Sequence, residues 1–194
     1  MGLTVMIAGL VLFLGVHTLT TQRAARARLI ASIGEGGYKA FYALAALAGL
    51  ALIVWGFAHY RAAGLIELWT PPRALKHLTE VLMLPAVILV VAAYLRGHIY
   101  TTVKHPMLAG VKLWAAAHLI ANGDLGGIVL FGSFLGWAVF DRISLKRRTD
   151  TGSPPIPVAG WGNDAIAVAI GIVVYLALGF AFHPVVIGVP VFGV

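Results

Sequence analysis

The chain has 194 residues, of which 60% are hydrophobic and only 11% charged, and its mean hydropathy is +0.94. Such a composition excludes an ordinary soluble domain and a disordered chain, and the lack of any cysteine removes disulfides, thiolate catalysis, iron–sulfur clusters and haem attached through Cys-x-x-Cys-His. The net charge of +7 is not a nucleic-acid signal, because the Lys and Arg residues fall between apolar stretches, where they act as topology determinants.

Six apolar stretches follow in chain order, over 2–20, 40–59, 78–95, 106–121, 125–140 and 162–182. At about 20 residues per crossing they predict an all-α fold: one domain over 1–194, a polytopic transmembrane bundle of about six helices in a lipid bilayer. The first stretch has no basic segment before it and no small-residue cleavage site after it, so it reads as a retained helix. The linker 21–39 carries Arg23, Arg26, Arg28 and Lys39, and its Gly34-Glu35-Gly36-Gly37 cluster is expected to break any continuation of the first helix. The second linker, 60–77, contains the helix-incompatible pair Pro71-Pro72. The third holds Arg96, His98 and Lys104 in a short loop. The fourth is only Asn122-Gly123-Asp124, a turn expected to make the fourth and fifth spans antiparallel neighbours. The fifth, 141–161, combines Arg142, Lys146, Arg147 and Arg148 with the Pro-rich run Ser153-Pro154-Pro155-Ile156-Pro157.

Linkers one, three and five hold ten Lys/Arg residues against three in linker two. The positive-inside rule then places those three linkers in the cytoplasm and both termini on the outer side. The fourteenth cation, Lys112, lies inside the fourth span. It must face the bundle interior, find a partner such as Glu80 or Asp141, or shed its proton.

Histidine carries the chemical signal. An ionisable side chain inside hydrocarbon is costly and so points to function, and imidazole is well suited to hold haem iron or another transition metal. His17 lies in span one, His59 ends span two, and His77 opens span three, three residues before Glu80. His105-Pro106 opens span four, His118 lies near its other end, and His183-Pro184 closes span six. His105 and His118 are separated by roughly 20 Å along a helix and about 140° around it, so one iron cannot take both. His118 shares its face with Trp114, Val111 and Met107, an apolar wall suited to a flat cofactor, whereas His105 shares the opposite face with Lys112. The plainer alternative is that a histidine at a helix end snorkels or bonds a backbone carbonyl.

The chain resembles the NnrU family of bacterial membrane proteins. The resemblance rests on Gly15-Val16-His17-Thr18, Leu29-Ile30-Ala31, Gly34-Glu35-Gly36-Gly37-Tyr38-Lys39 and Val54-Trp55-Gly56. It continues through Lys104-His105-Pro106-Met107, Gly110-Val111-Lys112-Leu113-Trp114, Ala117 to Asp124, and Asp141 to Arg148. The plant and cyanobacterial 15-cis-zeta-carotene isomerases of the same family are similar at the His17, His59, His105-Pro106, His118 and Phe182-His183-Pro184 regions. What the resemblance implies is a multi-pass protein of the bacterial inner membrane that binds haem b. Its NnrU branch accompanies nitrite and nitric oxide reduction (denitrification). In the isomerase branch, histidines matching His17 and His118 are the proposed axial ligands, so those two are the expected metal ligands here. His59, His105, Trp114 and Lys112 are the further cofactor-contacting candidates. Ala115 stands where the isomerases carry a cysteine, which removes a thiolate ligand.

By helix rise, His17 and His118 lie roughly 16 Å apart along the membrane normal. That pair requires a haem lying nearly flat; otherwise His118 pairs with His59, His77 or His183. A second resemblance links Lys104-His105-Pro106 and Gly110 to an S-adenosylmethionine-binding element of membrane methyltransferases, but the Glu- and Tyr-containing segment of those enzymes has no equivalent in 141–161. Three readings compete: a haem-dependent enzyme acting on an unidentified small molecule, a non-catalytic haem subunit serving a respiratory redox partner, and a transporter or assembly factor with structural histidines.

The charge asymmetry is directly testable. A reporter that works only in the cytoplasm is expected to be active when fused at Gly152, and one that needs the outer compartment is expected to be inactive there. The reverse pattern overturns the orientation.

Overall fold

The computed structural model describes residues 1–148 and 158–192. Gly152 and the Pro-rich run 153–157 lie outside them. Its helices are α1 (Gly2–Leu19), α2 (Arg23–Ala62), α3 (Arg73–Leu95), α4 (His98–Val103), α5 (Pro106–Ala121), α6 (Leu125–Lys146) and α7 (Trp161–Ala177), the last continuing as a π-helical segment over Leu178–Ile187. No strand forms among the described residues, which hold only an isolated bridge between Glu67 and Asp124. Five helices (α1, α2, α3, α6, and α7 with its π-helical segment) are long and apolar enough to cross a membrane, and α5 is apolar but shorter. The all-α, multi-pass class read from the composition therefore holds.

The chain forms two compact units, Met1–Thr70 with Gly123–Arg148 and Pro71–Asn122 with Thr149–Val194. In the first, α1 and α2 form an antiparallel hairpin joined by Thr20, Thr21 and Gln22. Glycine sets how closely they pack. A Cβ added at Gly9 would stand 2.6 Å from the Ile53 amide nitrogen, and one at Gly49 would stand 2.7 Å from that of Phe13. The two backbones thus touch with no side chain between them, the small-residue packing that apolar helices use where lipid offers no hydrophobic driving force. Met6, fully buried, fills the seam opposite Gly56. Helix α6 packs on α1 through Phe13 and Phe134, whose ring centroids are 5.7 Å apart.

Two sequence expectations are corrected here. The segment 21–39 is not a loop, since α2 starts at Arg23; the expected break at the glycine cluster does occur, at Gly34, whose φ of 74° and ψ of 166° leave two helical stretches joined across a kink. Within the units, α5 packs on α3 and α6 on α1, and the turn Asn122-Gly123-Asp124 joins α5 to α6. The turn itself is held from the side: the Gly123 carbonyl accepts from Leu68 N at 2.8 Å, and Leu125 N donates to Ile66 O at 2.9 Å. Asp124, 8% exposed, then caps α6 by accepting from Gly127 N at 2.8 Å. Finally, His98 is not a loop residue but the first residue of α4.

In the second unit, α3 packs against α5 and α7. Gly110 of α5 meets the Ala86 carbonyl of α3, where an added Cβ would stand at 2.8 Å. Two hydroxyls bridge the helices: Thr79 donates to Ala117 O at 2.8 Å, and Tyr175 to Glu80 O at 3.1 Å. Pro184 lies inside the π-helical segment. Lacking an N–H, it cannot close an i→i−4 bond, and the widened turn accommodates the loss.

If the α1–α2 seam depends on backbone contact, Gly49→Val forces the helices apart, at a cost of about 1–3 kcal/mol typical of overpacking. The thermal midpoint of the purified protein in detergent should fall by several degrees. Gly136→Val should leave it unchanged, because no atom lies within 4 Å of a Cβ there.

Candidate functional site

The second unit brings two of the seven histidines together. His118 stands on α5 and His183 on the π-helical segment, with ring centroids 6.4 Å apart and planes inclined by 26°. The Nδ1 of His118 lies 2.9 Å from Trp114 O, and that of His183 lies 2.9 Å from Leu178 O. A carbonyl only accepts, so each Nδ1 carries the proton and each neutral ring keeps its lone pair on Nε2. This is the tautomer a metal requires, fixed by the kind of second hydrogen bond that orients ligating histidines. The bond of His183 reaches five residues back, a spacing set by the π-helical register. Trp114 stands beside His118 at 5.4 Å between ring centroids, and Phe182 lies edge-on to His183 at 5.9 Å. The carbonyl of His118 accepts from both the backbone and the side-chain nitrogen of Asn122, at 2.9 and 2.8 Å, which closes the end of α5. Thr79, bonded to Ala117 O, holds α3 against the same turn.

Two imidazoles bound to opposite sides of one metal, at about 2.0 Å per bond, place their ring centroids roughly 6 Å apart. The observed pair has that spacing. No three His, Cys, Asp or Glu side chains converge among the described residues, so a bare ion would lack the three or four protein ligands it usually takes. A porphyrin supplies its own four nitrogens and asks the protein only for axial donors.

The remaining candidates have different surroundings. His17, in the first unit, bonds Phe13 O through Nδ1 at 2.6 Å and lies among the rings of Phe13, Tyr42 and Trp137, the last edge-on at 5.6 Å. The Trp137 Nε1 and the Tyr38 hydroxyl of this cluster are buried without a hydrogen-bond partner among the described residues. His59 is exposed, bonds Trp55 O at 2.9 Å and packs on the Trp55 ring. His105 is the N-cap residue of α5, and its carbonyl accepts from Ala109 N at 3.0 Å. Lys112 is half-buried. The carboxylates suggested as its partners are engaged elsewhere, Glu80 at 3.5 Å from His77 Nδ1 and Asp141 at 3.7 Å from Arg148.

Sequence reasoning passed over Asp164. Its carboxylate, 6% exposed, accepts from the backbone nitrogens of His98 and Ile99 at 2.8 and 3.0 Å and lies 3.3 Å from His98 Nδ1. It caps the start of α4 from across the chain, while the His98 ring stacks on Trp161 at 4.2 Å and Asn163 donates to Leu95 O. The one local signal was Asn163-Asp164 in the first turn of an apolar helix behind Gly160, a run rich in capping residues.

The chain matches the family model described as NnrU protein over residues 5–191, nearly its whole length. No curated protein and no solved structure matches it.

Removing the Asp164 carboxylate leaves two amide hydrogens without an acceptor, at about 1–3 kcal/mol for a buried donor. Thermal midpoints should fall in the order wild type, Asp164→Asn, Asp164→Ala. An unchanged midpoint for the alanine variant would show that this cap contributes nothing.

Proposed function

The chain belongs to the NnrU family, and we propose that it is a haem b protein of the bacterial inner membrane that serves nitrite and nitric oxide metabolism. The observation that carries the haem reading is the spacing and shared tautomer of His118 and His183. The link to nitrogen oxides is supported by family membership.

In this reading His118 and His183 would hold the haem iron. Haem b, when bound, supplies one-electron redox chemistry. The chain's own residues hold and tune it. The Trp114 and Leu178 carbonyls keep a proton on each Nδ1 and strengthen the donor character of each Nε2. The Trp114 and Phe182 rings form apolar walls beside the pair, and Thr79 and Asn122 fix the last turn of α5 so that His118 does not rotate. His17, the residue matched by the isomerase relatives, has its own aromatic cluster in the first unit and is the second candidate for an axial position.

The cis–trans isomerase reading ranks behind this one. Ala115, fully buried, stands where those relatives have a cysteine, so exchange between imidazole and thiolate has no residue to use.

Protein purified from haem-replete cells should show a Soret band. His118→Ala should abolish it, and His183→Ala should remove at least half of the bound haem or shift the band. His17→Ala and His77→Ala should retain it. His77 is a better control than His98, which is tied to Asp164. Full haem in both the His118 and His183 variants, or none in the wild type, overturns the proposal; loss in the His17 variant with retention in the His183 variant transfers the second axial position to His17.

A further inference from the structure

A cavity of about 370 Å³ lies in the first unit where the turn from α1 into α2 meets the last turns of α6. Three guanidinium-bearing residues line it: Arg23 from the first turn of α2, and Arg147 and Arg148 from the end of α6. The Ser144 hydroxyl accepts from Arg148 Nε at 3.2 Å and Nη2 at 2.8 Å, which holds that side chain against the wall, 16% exposed. The Asp141 carboxylate lies 3.7 Å from Arg148. The first turn of α2 contains no acidic residue and no side chain caps it, so it presents the positive end of the helix dipole.

Part of the lining is apolar. Phe140 and Ile143 line the same cavity and are 46% and 44% exposed. They lie on α6, one of the helices able to cross a membrane, within about two turns of Ser144 and Arg147. A cationic rim directly above an exposed apolar face on one spanning helix suits a ligand that is anionic at one end and hydrocarbon at the other. We propose that this cavity binds the phosphodiester headgroup of an anionic phospholipid, with an acyl chain lying along Phe140 and Ile143. Arginine presents two parallel N–H donors to a phosphate, and clusters of basic residues at the end of a spanning helix attract anionic lipid. A zwitterionic headgroup carries its own cation and loses this selectivity. Free inorganic phosphate satisfies the rim but gains nothing from the apolar wall.

The proposal is independent of the haem reading and is tested on the full-length protein in detergent. Native mass spectrometry with added phosphatidylglycerol should show lipid retained at least several-fold more than phosphatidylcholine, together with a rise in thermal midpoint. Arg23→Gln/Arg147→Gln should weaken phosphatidylglycerol binding roughly thirtyfold, from about 1 kcal/mol per basic residue near a charged surface. If the double variant does not fold, Arg147→Gln alone, at an exposed position, should show a loss of a few-fold. Lys39→Gln removes a charge that pairs with Glu35 outside the cavity and should bind like wild type. Equal retention of the two lipids, unchanged binding by the arginine variants, or the same stabilisation by millimolar inorganic phosphate alone each overturns the assignment.

Discussion

At Gly9, Gly49 and Gly56 helices α1 and α2 meet backbone to backbone, and the geometry of the first unit follows from that contact. A helix with no polar face gains little by hiding from lipid that is as apolar as itself. What it gains is dispersion, which falls off within a fraction of an ångström as surfaces separate. Leaving out three side chains lets the hairpin close to the distance at which many weak contacts add up. The seam then fixes the register that sets Met6 against Gly56 and Phe13 against Gly49. It also presents Phe13 and His17 to the neighbouring rings of Phe134, Tyr42 and Trp137. The second unit repeats the device with Gly110 against Ala86 and Gly171 against Ile88, adding the Thr79 and Tyr175 hydroxyls as cross-links.

Polar atoms are handled by a second rule. An apolar solvent accepts no hydrogen bonds, and four of the imidazoles satisfy one nitrogen on their own helix. His17, His59 and His118 bond the carbonyl four residues earlier and His183 the carbonyl five residues earlier. That bond is the plain structural use foreseen for a histidine at a helix end, and it is also what prepares Nε2 as a ligand. Hydrogen bonding alone therefore does not set one histidine apart from another; within the units, His118 and His183 are brought together, with ring centroids 6.4 Å apart.

The number and order of apolar helices were legible in the sequence, because a run of apolar residues states its own length. Their ends were not. Arg23–Ala62 includes the charged, glycine-containing segment that looked like a linker, since an exposed polar turn is as helical as an apolar one when only one residue departs from helical angles. The NnrU resemblance was legible too, and the match over residues 5–191 bears it out. His118 stood out because Trp114 and Val111 share its face, which is a local pattern. His183 was read as the end of a span because Pro184 usually marks one. In the structure that proline sits inside the helix, and the π turn around it carries the chain on to Ile187. Asp164 could not be read at all, because its partners, His98 and Ile99, are more than 60 residues away in the chain.

The two prolines inside helices show why such positions are informative. Pro85 lies in α3 and Pro184 in the π-helical segment, and each deletes one backbone donor where no water can replace it. At Pro85 the helix continues in α register beside the fully buried Ala86. At Pro184 it widens, and the Nδ1 of the preceding residue, His183, bonds the Leu178 carbonyl. The side chain thereby enters a backbone ladder that proline disturbs, and the imidazole is held by the same irregularity that positions it. A substitution that restored regular helix here would remove the reason for the wide turn and re-aim the ring. The His-Pro pair thus acts as one unit, with proline setting the register and histidine using it.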